Sequence, residues 1–600
     1  MLERHPQANS LTGVVAEVTA LGASSDPPAD DSASQTDQAS HKDLESGSLS
    51  ESKGDHAPSH EVQDGVRQAE AITATWSKTS LRTAYLFMWM TYAVNAFQGS
   101  ITGNLSAFVT SDFSAHSLIP TISIVSNILS AVAYMVLAKV LNLWDRTYGY
   151  IAMSVFATLG LILSATCKDI YTYCAAQCFY SVGFIGIIFS VDVVTADTSS
   201  LKDRGFAYAF TASPWIIAAY AGAKISEYFH DTNWRWAYGI FAIILPFVAA
   251  GFVTVFQLNK RKAAKQGKLE MVTHGRTVWE STRYYVVEFD VLGMFLVSAG
   301  LSLFLLPFSL AGSAPDQWRS AHIIVMLVLG VALLVAFGIV EKWFTPKPFI
   351  PFHLLANRTV IGACMLGVSW QIAYYCWASY YSSYLMVVYD LSVSKAGYIT
   401  AIYDVVAGVW LLPVGYAIRR TGRFKWLMAA GLPLYALGEG LMIHFRQPGH
   451  SVGWQAFCQI LIAFGGSMFT IGEQVAVLAA ASHNDAAAAL AMLGLFGYFA
   501  GAIGGSISAA IWTNTLPGAL QRLLPEESLA DWESIYEDIE VQLSYPVGSA
   551  TRTAIMGAYA EAQRRMLIAG TSVLVLAVAS IWAVKNIRVD RIEQVKGVLF

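Results

Sequence analysis

From Thr83 onward the chain is a succession of long apolar runs separated by short polar breaks. A helix needs about 20 apolar residues to cross roughly 30 Å of hydrocarbon. By that measure about fourteen spans lie near 83–109, 117–140, 149–167, 171–193, 205–226, 236–257, 289–310, 321–343, 359–388, 396–418, 426–444, 454–480, 488–512 and 566–585. A closed barrel, the other way to satisfy every backbone group in lipid, would show strict alternation, which these runs lack. The predicted fold is therefore all-α, a polytopic membrane protein of about 14 transmembrane helices. Charged residues make up 13% of the chain, about half of what a soluble protein carries, so a string of water-facing globules is excluded. Six Cys with no loop-borne framework do not organise the fold through disulfides.

The net charge of −4 averages two unlike parts. Residues 1–75 hold 13 Asp/Glu against four Lys/Arg, a charge of −9, which leaves +5 for the rest. This segment has no run long enough for a signal peptide's apolar centre, and it is acidic where a mitochondrial targeting segment would be Arg-rich. It reads as a disordered acidic tail, either a plain solvated extension or a regulatory one, phosphorylated on its serines or ubiquitinated at Lys42 or Lys53. An even number of spans puts both termini on one side. With the tail inside, the inner loops collect 24 Lys/Arg and the outer ones nine, four of them in one long loop. The positive-inside rule then places both termini in the cytoplasm.

The expected organisation is a tail over 1–75, a first helical bundle over 76–257, a basic then amphipathic cytoplasmic linker over 258–288, and a second bundle with an extra span over 289–512. A long outer loop over 513–565, patterned like short helices with Pro breaks, precedes the last span and tail at 566–600. A loop of that length is rarely structureless unless it is functional or disordered.

After the tenth span the chain reads GYAIRRTGRFK over 415–425. This resembles the G-x-x-x-D-R-x-G-R-[RK] loop of the major facilitator superfamily, with Arg419 where Asp is usual. A degenerate counterpart, AKVLNLWDR, follows the second span at 138–146, with Asn142 in the Asp place and Asp145 in the Gly place. Such loops act as latches because Gly permits a tight turn while Arg forks reach carboxylates and helix C-termini. Arg146, Asp192, Arg420 and Arg423 are the gate candidates, with Asp192 expected to pair with Arg146, and the missing Asp implies a weaker or rewired latch. Further signatures are SVDVVTADTSSLKDRG at 190–205, NWRWAYG at 233–239, and the last outer loop, from WTNTLP at 512–517 through SYPVGS at 544–549 to Arg552, Tyr559 and Arg564. Together they resemble the fungal siderophore–iron transporters, a 14-span branch of the major facilitator superfamily, over about 76–590. The resemblance implies two six-helix bundles, each an inverted repeat, flanking a midplane cavity, with the seventh and last spans as extras. It also implies uptake of ferric siderophores with protons, at the plasma membrane or in endosomal or vacuolar membranes.

The residues themselves narrow the chemistry. A carboxylate inside a bilayer costs about 2.5–3.5 kcal/mol on insertion scales, so each one needs a reason. Asp404 and Glu473 are proton-coupling candidates, or else make structural hydrogen bonds; Glu439, toward the outer end of its span, is expected to snorkel. Lys224 and Glu227, three apart at the outer end of the fifth span, either pair locally or leave Lys224 facing the cavity. The ninth span carries Trp370, Tyr374, Trp377, Tyr381 and Tyr384 at helical spacing with Gln371 beside them, an aromatic face suited to a bulky ligand with carbonyl or hydroxamate acceptors. Facing candidates in the first half are Trp89, Tyr92, Asn95 and Gln98 on the first span and Trp215 and Tyr220 on the fifth. Tyr545, Arg552 and Tyr559 are the outer-loop candidates, in a loop that either captures ligand or merely shields. No His or carboxylate cluster has metal-ligand spacing, no nucleotide loop is present and no His/Asp or Ser/Lys set converges at one depth, so no cofactor, no nucleic acid partner and no enzymatic activity is expected. The expected partners are a ferric siderophore, protons and the lipid bilayer, with the chain acting as a monomer. The alternatives on these residues are a proton-coupled drug exporter, a glutathione exchanger, or a non-transporting receptor signalling through the tail.

Overall fold

The structure, a computed structural model, describes Ile72 and residues 75–143, 146–198, 207, 210–267, 277–346, 348–350, 352–481 and 486–588. The acidic tail, the centre of the 138–146 motif, the Lys202–Arg204 part of the 190–205 motif and the last residues lie outside that set. Every element among the described residues is a helix. The long ones are α1 (Lys78–Asp112), α2 (Ile119–Leu143), α3 (Arg146–Thr166), α4 (Ile170–Thr198), α5 (Pro214–Thr232), α6 (Trp234–Lys265), α7 (Val291–Leu305), α8 (Ala321–Trp343), α9 (Arg358–Ala378, resumed as Tyr381–Tyr389), α10 (Val393–Thr400 then Ile402–Thr421), α11 (Lys425–Phe445), α12 (Val452–Ala480), α13 (Ala486–Leu523) and α14 (Ala550–Ala583). Among the described residues 12 helical segments are long and apolar enough to cross a membrane. The expected spans missing from that set are α1 and α5. Their hydropathy is diluted by Asn95, Gln98 and Asn104 on one, where Gln98 and Asn104 are buried against protein, and by the exposed Lys224 with Glu227 on the other.

Helices α1 to α6 close around one core, with Met88, Leu105, Tyr150, Phe184, Leu245 and Phe252 among its members. Helices α9 to α14 close around another, holding Leu366, Tyr435, Phe469, Met492, Leu567 and Leu574. The two bundles meet along two seams, α2 against α13 and α5 against α10. Helices α7 and α8 pair with each other at Gly330, where a Cβ would stand 2.6 Å from the Phe304 amide nitrogen. They lean on α2 and α13 through Val132, Met135, Val297 and Leu495.

The pair outside the two bundles is thus α7 and α8, which corrects the expectation that the last span is an extra. Helix α14 is integral to the second bundle: a Cβ on Gly570 would stand 2.6 Å from the Ala373 carbonyl of α9, an approach that only glycine allows. The long outer loop also contracts. Residues up to Leu523 continue α13 and those from Ala550 begin α14, so only 524–549 connect them, through the short helices Glu526–Leu529, Trp532–Glu537 and Ile539–Ser544. In the linker, α6 runs on to Lys265, and Val278–Glu288 forms a helix opened by a Thr277–Glu280 capping box.

Candidate functional site

A cavity of about 290 Å³ lies between the bundles, walled by α1, α5, α9 and α10. Small residues make its room: Gly99, Ser100 and Gly103 line the α1 side, and a Cβ on Gly103 would meet nothing within 4 Å. Trp215 of α5 lies over Gly99, 3.2 Å from where a Cβ would be. The opposite wall is an aromatic ladder on α9, with ring centroids 5.1 Å apart for Tyr374 and Trp377 and 5.4 Å for Trp377 and Tyr381. The ladder continues onto α10 through Tyr374 and Tyr403 at 5.4 Å. Between Trp377 and Tyr381 the helix is interrupted, Tyr380 having left helical geometry at φ −109° and ψ 14°. The interruption brings Ser379, Ser382 and Ser383 to the wall beside the rings. Asp404 of α10 and Gln459 of α12 complete it. Ser383 Oγ and Gln459 Oε1 are buried there with no hydrogen-bond partner among the described residues, an unusual state for polar atoms unless something else supplies the bond.

Tyr374, Trp377 and Tyr381 of the expected aromatic face, the facing candidate Trp215 and the proton-coupling candidate Asp404 therefore converge on one cavity. The other candidates go elsewhere. Trp89 Nε1 donates to Ser213 Oγ at 2.9 Å, the Tyr92 hydroxyl donates to Asp192, and Gln98 is buried in the first bundle, bonded to Thr102 at 3.1 Å. Tyr220 packs on Tyr398 across the α5–α10 seam at 5.8 Å. Lys224 pairs with Glu227, which also accepts from Ser394 Oγ at 3.0 Å, so local pairing holds. Gln371 lies beside Gly497 of α13. Ser379, Ser382, Ser383, Asn104 and Gln459 also line it without being singled out by the sequence; a serine cluster interleaved with the aromatic repeat is the available signal.

Behind the ladder stand two indole–carboxyl pairs, two helical turns apart on α9. Trp370 Nε1 donates to Glu473 Oε1 at 3.0 Å, and Trp377 Nε1 donates to Glu439 Oε1 at 3.1 Å. Glu439 is fully buried, which corrects the expectation that it snorkels; the indole holds it inward. Tyr384 also sits behind the wall, near Arg446. The guanidinium of Arg446 is fully buried against aromatic faces, 4.5 Å from the Trp377 centroid and 4.2 Å from that of Tyr381. Its hydrogen bonds go to Gln563 Oε1 at 2.8 Å and Gln455 Oε1 at 3.4 Å.

The gate candidates separate likewise. Arg146 Nε pairs with Asp197 at 3.1 Å and its Nη1 donates to the Leu141 carbonyl at 2.5 Å, while Asp192 takes Tyr92; the Arg146–Asp192 pair is replaced by its neighbour on α4. Arg420 and Arg423 are exposed. The cations of this region that reach a helix C-terminus are Lys425, on the Val584 carbonyl at 2.5 Å, and Arg358, on the Ala583 carbonyl at 3.0 Å. At the other end of the bundle, Gly548 adopts φ +91° and Ser549 caps α14, which explains the PVGS turn. That turn delivers Arg552 into full burial, with Nε on the Val387 carbonyl at 3.1 Å and Nη1 on the Gln542 carbonyl at 2.6 Å. The Tyr559 hydroxyl donates to Gln542 Oε1 at 2.7 Å, and Tyr545 is half-buried. Across the junction, Ser117 Oγ donates to Glu537 at 2.9 Å and the Ile539 amide donates to Ser111 Oγ at 3.0 Å. The segment 524–549 thus straps the second bundle to the first. Burial pushes the Glu537 carboxyl above its ordinary range, against the opposing pull of the Ser117 bonds.

Residues 43–525 match the model of a family described as fungal trichothecene efflux pump (TRI12). The MFS siderochrome iron transporter D of Aspergillus fumigatus is 57% identical over 96% of this chain and 96% of that protein. The chain belongs to the siderophore iron transporter family of the major facilitator superfamily. The siderophore iron transporter mirB of Emericella nidulans is 45% identical, with 97% of each chain covered. Among solved structures, a bacterial homolog of the human lysosomal transporter Spinster superposes with a TM-score of 0.52 at 14% identity, covering 87% of this chain and 100% of that one. The peptide transporter POT with alafosfalin does so at 0.53 and 13%, covering 84% and 99%. At such identities the likeness establishes the major facilitator fold alone.

Proposed function

We propose that this protein imports ferric siderophores of the hydroxamate type across the cell membrane, driven by co-transported protons. The observation that carries the reading is the cavity between the bundles, where aromatic rings set edge to face or tilted alternate with hydroxyls and unpartnered polar atoms in a member of this transporter family. Rings suit the apolar periphery of a ferric siderophore, and hydroxyls and amides suit its carbonyl rim. The volume of about 290 Å³ lies at the small end of ligand sites, so a bulky ligand is admitted by parting the bundles along the α2–α13 and α5–α10 seams. A ferric trihydroxamate is close to neutral and draws little from the membrane potential, whereas each proton gains about 2.3 kcal/mol per 100 mV. Asp404, on the wall, and Glu473, behind Trp370, are the acids that take it up. The termini face the cytoplasm, the 524–549 strap faces outside, and the cytoplasmic latch runs through Arg146, Lys425 and Arg358.

The test is uptake of radio-iron by whole cells expressing the protein, one ferric siderophore at a time from the ferrichrome, coprogen, fusarinine and ferrioxamine classes, with and without a protonophore. Gradient-dependent accumulation of at least one is expected. No accumulation of any refutes the substrate class, and accumulation indifferent to the protonophore refutes the coupling. The efflux description of the matching family favours a second reading, export on the same fold, which predicts loss of preloaded substrate from cells instead of gain.

A further inference from the structure

Trp377 occupies a position shared by no other residue of the ladder. One part of its ring lines the cavity; its Nε1–H is bonded to Glu439 Oε1 at 3.1 Å; and its face carries the Arg446 guanidinium at 4.5 Å. Glu439 and Arg446 lie two turns apart on α11 and its C-cap, both fully buried. Neither has an opposite charge within 4.0 Å among the described residues. Glu439 Oε2 has no hydrogen-bond partner among the described residues. The titratable groups that act on Glu439 are Tyr435 and Arg446 on its own helix side, Cys376 on α9 and Tyr403 on α10. Two opposite charges are thus held apart by one indole, which satisfies the anion with its N–H and the cation with its π face. A buried acid without a cation is costly when ionised, and here the group that stabilises it is also the group a ligand would press upon.

We infer that Glu439 is a proton-carrying acid for transport, beyond Asp404 and Glu473, and that Trp377 is the positioning residue that links its protonation to occupancy of the cavity. The inference rests on the proton-driven import reading. A proton arriving from outside adds to Glu439 Oε2, forming the neutral carboxyl; the same O–H bond breaks when the proton is released to the cytoplasm, and no other bond changes. With the acid ionised, Glu439 and Arg446 offset each other across the indole. With it protonated, the unit carries the Arg446 charge alone. Ligand contact that shifts Trp377 away from Oε1 withdraws the N–H from the ionised form, so binding favours proton uptake and proton uptake favours binding, as reciprocal linkage requires.

The experiment compares wild type, Glu439→Gln and Trp377→Phe in proteoliposomes, using the ferric siderophore that wild-type cells accumulate. Glu439→Gln keeps an acceptor for the indole but cannot exchange a proton. Its gradient-driven accumulation should fall several-fold below wild type, the remainder being carried by Asp404 and Glu473, while exchange of labelled for unlabelled siderophore at equal pH stays within about twofold of wild type, exchange needing binding and reorientation only. Trp377→Phe keeps a ring at the wall but loses the N–H; its uptake-against-pH profile should shift to higher pH, because a carboxylate deprived of a donor holds its proton more tightly. Wild-type accumulation by Glu439→Gln, or a Trp377→Phe profile superimposed on that of wild type, overturns the inference and leaves the transport reading standing. Failure of the wild type itself to accumulate any ferric siderophore, or to respond to the gradient, overturns the reading and this inference with it.

Discussion

Arg552 is the residue whose assigned role changes most, and it yields the sharpest test. A buried guanidinium with acceptors at Val387, Gln542 and Met386, and Asp390 at 3.5 Å, is a pin between the 524–549 strap and the end of α9. Hydrogen bonds to a charged group contribute about 1.5–3 kcal/mol each, so three would nominally sum to well above 4. Removing the side chain also removes the cost of burying it, and the net loss on breaking such a site is about 3–5 kcal/mol. Arg552→Ala should therefore raise the undocked population of the strap by about two to four decades. The assay is limited proteolysis of the detergent-solubilised protein across 524–549, read with thermal stability by size-exclusion. Cleavage there should become rapid and the melting midpoint should drop by several degrees. Arg552→Lys, which keeps the charge but not the fork, should fall between. If Arg552→Ala resists protease like wild type and instead loses one siderophore selectively, the pin is wrong and the residue contacts ligand.

Filling the cavity from the open side should block transport without unfolding: Gly103→Phe is expected to abolish uptake with an unchanged melting midpoint, since nothing lies within 4 Å of its Cβ, and unimpaired uptake would show that ligand passes elsewhere. A Cβ on Gly465 would stand 2.6 Å from the Gly431 carbonyl, so Gly465→Ala should cost about 1–3 kcal/mol by forcing α11 from α12, whereas Gly440→Ala, in open space, should be neutral or gain; equal melting of the two would refute the packing argument. Trp370→Phe leaves Glu473 without its donor and should cost about 1–3 kcal/mol, seen as a lower melting midpoint that adding Glu473→Gln largely restores. Because the docked Glu537 holds its proton more tightly than a free carboxyl of about 4.3, its contribution to docking is present at low pH and is lost as pH rises through the raised value. Hydrogen exchange over 532–544, corrected for intrinsic rate, should slow as pH falls into the carboxyl range, and Glu537→Gln should flatten that response; acceleration on acidification would reverse the sign.

How much of this was legible along the chain depends on distance. Membrane-spanning helices follow from run length and hydropathy, because in lipid each backbone group must be satisfied within its own segment. The aromatic repeat of α9 was equally readable, since residues three and four apart share a helix face whatever the helix packs against. The basic loops are readable as sequence too, although which cation reaches a carbonyl was decided by neighbouring helix ends: Lys425 and Arg358 do so, whereas Arg420 and Arg423 are exposed. Glu439 and Arg446 looked like the end of a span because sequence depth says nothing of a partner indole on another helix.

What the sequence determined alone is the class of solvent the chain lives in, which stretches form long apolar helices, and which side chains share a stripe. Which stripe faces a cavity, which helices stand outside the two bundles, and which acid finds an indole were decided by α9 packing between α12, α13 and α14. Those choices depend on contacts at long sequence separation, such as Gly570 on Ala373 and Trp377 on Glu439. Periodicity records which face a residue occupies, whereas van der Waals fit and the satisfaction of buried polar atoms, both tertiary quantities, settle what that face meets.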